Sequence, residues 1–305
     1  MDEVERAIET SMSNLLLSVR SGVLDIGDVE KEIEKIYKNF PEHRCKVALE
    51  EITLYDKLRM WSKALEAAER ATRNGIHTPA LLMRKAKYLG IVGRIKEAAV
   101  IFEQLLNTPM EDRDALLVYA HYAKMLISAS KWGDAISVLR RGLLRFPKDV
   151  ILKTKLAICF KSLGNYEGAL SILNSLDQND PYIRMEKAHI YVNLFNAEKA
   201  RSEMKAARAL FYKAHVSDKR LRNKWERRAI FQRLLALEVA VSAVEGKVEE
   251  AEKWFYENHS AFPAAKLVGV VLGRIHANGS QKINNGGRKW TKSTITYQHI
   301  QQAIR

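Results

Sequence analysis

The chain has few cysteines, which can cross-link a fold, and few prolines and glycines, which interrupt helices and strands. It contains two cysteines, Cys45 and Cys159, six prolines and fifteen glycines in 305 residues. Two thiols are too few for a disulfide framework or a cysteine-rich zinc module, and they suit a reducing compartment, so we expect a cytoplasmic protein. The scarcity of proline and glycine excludes a collagenous or linker-dominated chain.

Long apolar runs are also missing. No stretch reaches the roughly 18 consecutive apolar residues of a membrane-spanning helix, because Lys, Arg or Glu interrupts every apolar patch. Three of the first five residues are acidic and none is basic, whereas a secretory signal begins with basic residues. We therefore expect neither a membrane span nor a signal peptide.

What the chain does have is a core-forming composition and an uneven charge. Hydrophobic residues make up 47% and charged residues 28%, which is typical of folded proteins. The net charge is +14, but residues 1–198 carry only +2. Residues 199–233 hold 12 basic and 3 acidic groups, residues 264–305 hold 7 basic and none acidic, and the intervening 234–263 carry −4. Such a localised excess indicates a surface that meets a negative partner.

An internal repeat organises most of the chain. An alanine recurs at intervals of 34, 37, 34, 31 and 51 residues, with glycine five positions before it in three copies. A large residue precedes the alanine by three positions in five copies, and a second alanine precedes it by twelve positions in four copies. The repeat alanines are Ala64, Ala98, Ala135, Ala169, Ala200 and Ala251, and the earlier ones are Ala86, Ala123, Ala157 and Ala188. A period in this range predicts stacked structural repeats.

Each copy has the pattern of a helical hairpin. Apolar residues recur at three- and four-residue intervals between helix breakers, as in Ile136, Leu139 and Leu143. The glycine turn ends the first helix, and a proline such as Pro147 or Pro181 follows the second. The two alanines let the helices approach closely. Because one hairpin cannot bury its apolar face alone, neighbouring hairpins are expected to stack.

The spacing and the residues of the fourth copy resemble a tetratricopeptide repeat (TPR); these residues are Ala157, Phe160, Gly164, Asn165, Tyr166, Ala169 and Pro181. The resemblance is clear over 44–212, continues over 229–263 and extends to 4–41. It implies an all-α fold: a right-handed α-solenoid of six or seven antiparallel helical hairpins, with a C-terminal capping helix and a basic tail. Copy five departs from the family pattern because Phe195 occupies the place where glycine is usual.

The repeat boundaries and the basic segments predict the domain organisation. The predicted parts are a divergent N-terminal hairpin at 1–43, TPR-like repeats at 44–212, a basic extension at 213–228, a further TPR-like repeat at 229–263, a capping helix at 264–277 and a flexible basic tail at 278–305 with a short terminal helix.

No catalytic or cofactor-binding motif is present. The chain lacks G-x-S-x-G, H-E-x-x-H and C-x-x-C. The stretch from Gly286 to Ser293 resembles a phosphate-binding loop only loosely, because Thr291 replaces the required glycine and no strand precedes it. The eight histidines lack metal-ligand spacing. We therefore expect a non-enzymatic protein with no metal and no cofactor.

The resemblance to TPR proteins also implies a binding groove, because the first helix of each hairpin lines the concave surface in that family. The positions that would face the groove are Met83, Arg84, Lys87, His121, Lys124, Thr154, Lys155, Met185, His189 and Asn193. Their cations would bind the carboxylates of an extended or helical peptide through charge-assisted hydrogen bonds. The alternative is an ordinary solvated helix face.

The basic segments suggest a second partner class. Cations surround a tryptophan in both segments, a combination that could contact phosphates and stack on a base. The residues are Lys219, Arg220, Arg222, Lys224, Trp225, Arg227, Arg228, Arg288, Lys289, Trp290 and Lys292. A competing interpretation is that segment 199–233 neutralises the acidic residues 234–263 or an acidic partner.

Two hypotheses for function follow from these features. The leading one is a TPR scaffold or adaptor that holds an acidic partner protein or peptide in its groove and so assembles a complex. The alternative is a nucleic-acid-associated protein that contacts RNA or DNA phosphates through residues 199–233 and 278–305. No base-reading motif accompanies these segments. The oligomeric state has no signal in the sequence.

Overall fold

A computed structural model of the chain describes residues 3–214, 224–260 and 263–283, with side chains described except at 214, 224–227 and 278–283. Within these ranges the secondary structure is helical throughout, with fifteen α-helices, one short 3₁₀ turn at Pro41–His43 and no strand. The chain divides into two compact units, Met1–Cys159 and Phe160–Arg305.

The helices follow one another with short connections. In the first unit they are α1 Glu3–Arg20, α2 Ile26–Asn39, α3 Arg44–Lys57, α4 Trp61–Arg73, α5 Pro79–Ile91, α6 Ile95–Leu106, α7 Asp112–Ser128 and α8 Trp132–Arg145. Helix α9, Val150–Ser162, crosses the boundary between the units. In the second unit they are α10 Tyr166–Asn174, α11 Pro181–Asn193, α12 Ala197–Ala214, α13 Lys224–Val244, α14 Val248–Asn258 and α15 Ala265–Ile283.

Consecutive helices pack in pairs, as the repeat predicts. The pairs α1/α2, α3/α4, α5/α6 and α7/α8 pack in the first unit, and α11/α12 and α13/α14 pack in the second. At the N-terminal end of the described residues, α1 buries Ile8 and Met12, and it packs against α3 as well as α2. The all-α fold of adjacent hairpins is therefore confirmed.

The turn inside the hairpin has one backbone conformation in six copies. The residue five positions before the repeat alanine has a positive φ of between 55° and 104° in every copy, whether or not it is glycine. These residues are Arg59, Gly93, Ser130, Gly164, Phe195 and Gly246. The next residue donates its amide to the carbonyl five positions earlier, as from Arg94 to Leu89 at 2.8 Å. This hydrogen bond closes the end of the first helix and reverses the chain.

The repeat alanines lie where the helices of a hairpin meet. All ten are at most 1% exposed. In the first unit the surrounding core includes Tyr88 and Phe102, and the Phe102 ring stacks on that of Tyr122 with their centroids 5.0 Å apart. Small residues at the contact and large residues beside it produce the dense packing on which a stacked hairpin depends.

The second unit has a core of its own. Met185, Phe211, Phe255 and Leu272 belong to one buried cluster drawn from α11 to α15. Helix α15 packs against α13 and α14. It continues to Ile283, six residues beyond the predicted end, since Gly279 only weakens a helix, by about 1 kcal/mol, and no proline is present to end it.

Part of the predicted basic surface lies outside the described residues. This applies to most of the extension at 213–228, to the tail from 284 onward and to its expected terminal helix. Within the described ranges, no helix combines the length and apolar character that crossing a bilayer requires.

Candidate peptide-binding surface

The predicted groove residues lie on four first helices of the hairpins. Helix α5 carries Met83, Arg84 and Lys87, helix α7 carries His121 and Lys124, helix α9 carries Thr154 and Lys155, and helix α11 carries Met185, His189 and Asn193. The first seven belong to the first unit and the last three to the second.

Two of the predicted cations are engaged by the preceding hairpin. The Arg84 guanidinium donates to the Leu49 carbonyl oxygen at 2.9 Å and to the Thr53 hydroxyl. The Lys87 ammonium lies 3.0 Å from a carboxylate oxygen of Asp56. Because these groups already have partners, Arg84 and Lys87 mainly join α5 to α3.

Two lysines and a histidine lie together without a carboxylate partner among the described residues. Burial lowers the pKa of half-buried His121, and the neighbouring charges of Lys124, Lys87 and Lys155 lower it further. Burial and the charge of Lys124 also lower the pKa of Lys155. Within the described part of the chain, no carboxylate forms an ion pair with Lys124 or Lys155. We call His121, Lys124 and Lys155 the cationic surface.

The remaining first-unit positions border this surface without adding charge. Met83 and Thr154 are both half-buried, and the Thr154 hydroxyl donates to the Val150 carbonyl oxygen at 2.7 Å within its own helix. Cys159 lies one helical turn after Lys155, and burial raises the pKa of its thiol to about 11. A thiol with so high a pKa stays protonated and packs as a small apolar side chain.

Met185 does not face a groove. It is 1% exposed and forms part of the core of the second unit. The family pattern places this position on the first helix, but the packing of α11 against α12 and α13 covers it. A partner therefore has no access to its side chain.

His189 and Asn193 are occupied by contacts inside the second unit. The His189 Nδ1 atom lies 3.1 Å from the Lys161 ammonium, and burial together with that cation lowers the pKa of His189 to about 3. The Asn193 amide donates to the His189 carbonyl oxygen at 2.8 Å, and Arg274 donates to Asn193. Of the ten predicted groove residues, only the seven in the first unit therefore remain candidates for binding a partner.

A charge network in the second unit has no counterpart in the sequence analysis. The Glu186 carboxylate, 7% exposed, accepts from Lys161 at 2.6 Å and from Arg233. Although burial acts in the opposite direction, these two cations hold the pKa of Glu186 well below its usual range. The partners lie 25 and 47 positions away along the chain, so no local pattern could have revealed them.

Two cations of segment 199–233 pair with the acidic segment that follows. Arg208 binds Glu238 at 3.0 Å, and Arg201 donates to both carboxylate oxygens of Glu245 from its Nε and Nη2 atoms. Arg228 is exposed. The other ten predicted polyanion-binding residues lie outside the described side chains.

Comparison with known proteins gives matches at the level of structure. No protein-family model matches the chain, and no curated protein matches its sequence. A tetratricopeptide repeat protein from Parabacteroides merdae is 14% identical and matches over 98% of both chains, with a TM-score of 0.56. MamA from Desulfovibrio magneticus is 13% identical and matches over 58% of this chain and 98% of its own, with a TM-score of 0.44. The first match, together with the paired helices and their common turn, shows that the chain has the fold of a divergent TPR protein.

Proposed function

We propose that the protein is a non-enzymatic scaffold that binds an acidic segment of a partner protein at the cationic surface. One observation carries the proposal: burial and the nearby charge of Lys124 lower the pKa of Lys155, and no carboxylate among the described residues forms an ion pair with either lysine. Stacked hairpins present extended surfaces to partners, which supports a binding role in general.

The chemistry of the surface favours carboxylates. A carboxylate placed between Lys124 and Lys155 would accept charge-assisted hydrogen bonds from both ammonium groups and reduce their mutual repulsion. His121 is neutral at pH 7, because its pKa is lowered, and it supplies one donor and one acceptor to the same ligand. Met83 adds an adaptable apolar contact at the edge.

The test is capture of a partner by the full chain from extracts of its source cells. We expect Lys124→Glu combined with Lys155→Glu to lose the captured protein, because both contacts with its carboxylates become repulsive. Lys153→Glu is the matched control, since it makes the same charge change on α9 two positions away, on a different side of the helix. An identical set of captured proteins with the double variant and with the control would refute the proposal.

Removing the charge of Lys155 should have opposite effects on partner binding and on the stability of the fold. We expect Lys155→Met to raise the free energy of unfolding by about 1 kcal/mol, because it removes a half-buried cation beside Lys124, while weakening partner capture. Urea unfolding and the same capture assay measure the two effects. A variant that is less stable, or that binds as well as the original chain, would contradict the functional assignment of Lys155.

Nucleic acid is the second candidate, supported by the 12 basic and 3 acidic residues of segment 199–233. Arg201 and Arg208 are engaged by acidic residues, so this candidate depends on the cations from Lys219 to Arg228. It requires polynucleotide binding that weakens steeply with salt and that is lost on charge reversal of Arg220, Arg222, Lys224 and Arg228. Nuclease treatment of half of each extract distinguishes it from direct protein capture.

A further inference from the structure

A cleft of about 750 Å³ lies in the first unit, away from the residues of the cationic surface. Its lining comes mainly from helices α2, α3 and α4 and includes Ile33, Glu34, Tyr55 and Glu66. Helix α2 forms one wall and α4 the other, because both pack against α3. A volume of this size is typical of sites that take a small molecule or part of a peptide.

Two sets of contacts cross the cleft at defined levels. At the first, Lys63 of α4 binds Glu30 of α2. At the second, the Glu51 carboxylate of α3 accepts from the Tyr37 hydroxyl of α2 at 2.9 Å and from the Arg70 guanidinium of α4 at 2.5 Å. The two levels are seven positions apart on both walls, which is about 10 Å at the helical rise per residue.

The space between these levels has two carboxylates without a cation. Glu34 on α2 and Glu66 on α4 are both exposed, and neither forms an ion pair within the described residues. Two cations of α4 that also line the cleft, Lys63 and Arg70, are already bound to Glu30 and Glu51. We call this space, bounded by Glu34, Glu66 and Tyr55, the acidic chamber.

A buried tyrosine side chain provides an observation independent of the carboxylates. Tyr55 is 3% exposed as a residue and lines the cleft, and no hydrogen bond to its hydroxyl is present in the described part of the chain. Burial, followed by the charges of Glu51 and Glu30, raises the pKa of Tyr55, so the hydroxyl stays protonated. This hydroxyl is therefore available to a polar group that enters the cleft.

We propose that the acidic chamber binds an arginine or lysine side chain of a partner protein. The cation would donate to Glu34 and Glu66 from between the two walls, while the Tyr55 oxygen would accept a further hydrogen bond. Lys38 and Arg44 line the cleft beyond the second level, so they repel a basic group there and direct it into the chamber. The proposal does not rest on the function assigned to the cationic surface.

The test is an NMR titration of the full chain with a capped pentapeptide that has a central arginine between glycine and leucine residues. We expect the backbone shifts that change to cluster on α2, α3 and α4 around the chamber. The control peptide replaces arginine with citrulline, which keeps the shape and removes the charge. It should bind about tenfold more weakly or worse.

Variants of the chamber make the test specific to these residues. The double variant Glu34→Gln, Glu66→Gln keeps both exposed side chains nearly unchanged in shape. It should lower the affinity for the arginine peptide about tenfold or more. Tyr55→Phe should weaken it severalfold, and Glu32→Gln, on α2 but outside the lining, should have no effect. Absent binding, equal binding of the citrulline peptide, or an unchanged affinity in the double variant would each overturn the proposal.

Discussion

The turn inside each hairpin depends on the backbone conformation of a single residue. Gly93, Gly164 and Gly246 adopt positive φ without a steric penalty, but Arg59, Ser130 and Phe195 adopt it as well. A residue with a Cβ atom loses about 1–2 kcal/mol in this conformation. The hydrogen bonds of the turn and the burial of the alanine that follows hold these three residues in place, which explains why copy five keeps the fold without its glycine.

This strain predicts opposite effects for reciprocal substitutions. We expect Ser130→Gly to raise the free energy of unfolding by up to about 1 kcal/mol and Gly164→Ala to lower it by about 1 kcal/mol. A Cβ atom at Gly164 would meet no atom within 4 Å, so its effect would come from the backbone alone. Urea unfolding measures both, and effects of the same sign would contradict the explanation.

At the scale of helices, the repeat length determines which side chains meet. Residues about one repeat apart on successive hairpins come together in Lys63 with Glu30, 33 positions apart, and in Lys87 with Asp56, 31 positions apart, the latter at 3.0 Å. The stacking of equivalent hairpins explains the spacing, since residues one repeat apart occupy the same place on successive copies. This relationship was available in the sequence and would have predicted the first level of the cleft.

Close helix packing gives a test within one helix. A Cβ atom at Gly142 of α8 would lie 2.9 Å from Leu152 Cδ1 and 3.0 Å from the Tyr119 ring, whereas one at Gly133 would meet nothing within 4 Å. We expect Gly142→Ala to lower the free energy of unfolding by about 1–2 kcal/mol, because overpacking outweighs the gain in helix propensity.

The matched substitution Gly133→Ala should instead stabilise the protein by about 0.5–1 kcal/mol, because it gains helix propensity without a clash. Thermal or urea unfolding distinguishes the two. Stabilisation by both substitutions would mean that α8 has more room beside Tyr119 and Leu152 than the packing indicates.

At the scale of the whole molecule, the charge of the basic segment at 199–233 is partly offset by acidic residues. Part of the excess at 199–233 is used inside the second unit, where Arg201, Arg208 and Arg233 meet glutamates. The local excess of +9 in segment 199–233, from 12 basic and 3 acidic residues, therefore overstates the number of its cations that are free to meet a partner.

The buried charge network predicts that the second unit loses stability in acid. Above pH 6.5 His189 is neutral in both the folded and the unfolded chain, so its contribution is complete. As the pH falls from 6.5 towards the folded pKa of His189, about 3, only the unfolded chain takes up the proton, and folding becomes less favourable. At pH 5.5 the loss is about 1 kcal/mol.

Urea unfolding at pH 7.5 and 5.5 tests this prediction. The free energy of unfolding should fall between pH 7.5 and pH 5.5 by about 1 kcal/mol less in His189→Asn than in the original chain. This holds whatever the substitution does to stability at pH 7.5. Glu186 remains ionised at both pH values because its pKa is held well below its usual range, so it does not contribute to the difference. Equal pH dependence in both proteins would show that His189 is protonated in the folded state.

The sequence by itself determined the all-α hairpin fold, the place of each turn and the buried alanines. These features are local, or they repeat in phase, so one chain displays them several times. Only the tertiary structure decided which cations are free. Lys124 and Lys155 form no ion pair with any described residue, whereas Arg84 and Lys87 find partners 31 to 35 positions earlier, and Met185 is covered by neighbouring helices. The physical reason is that an ion pair or a buried face depends on what another helix places opposite, and the periodicity of a single helix does not contain that information.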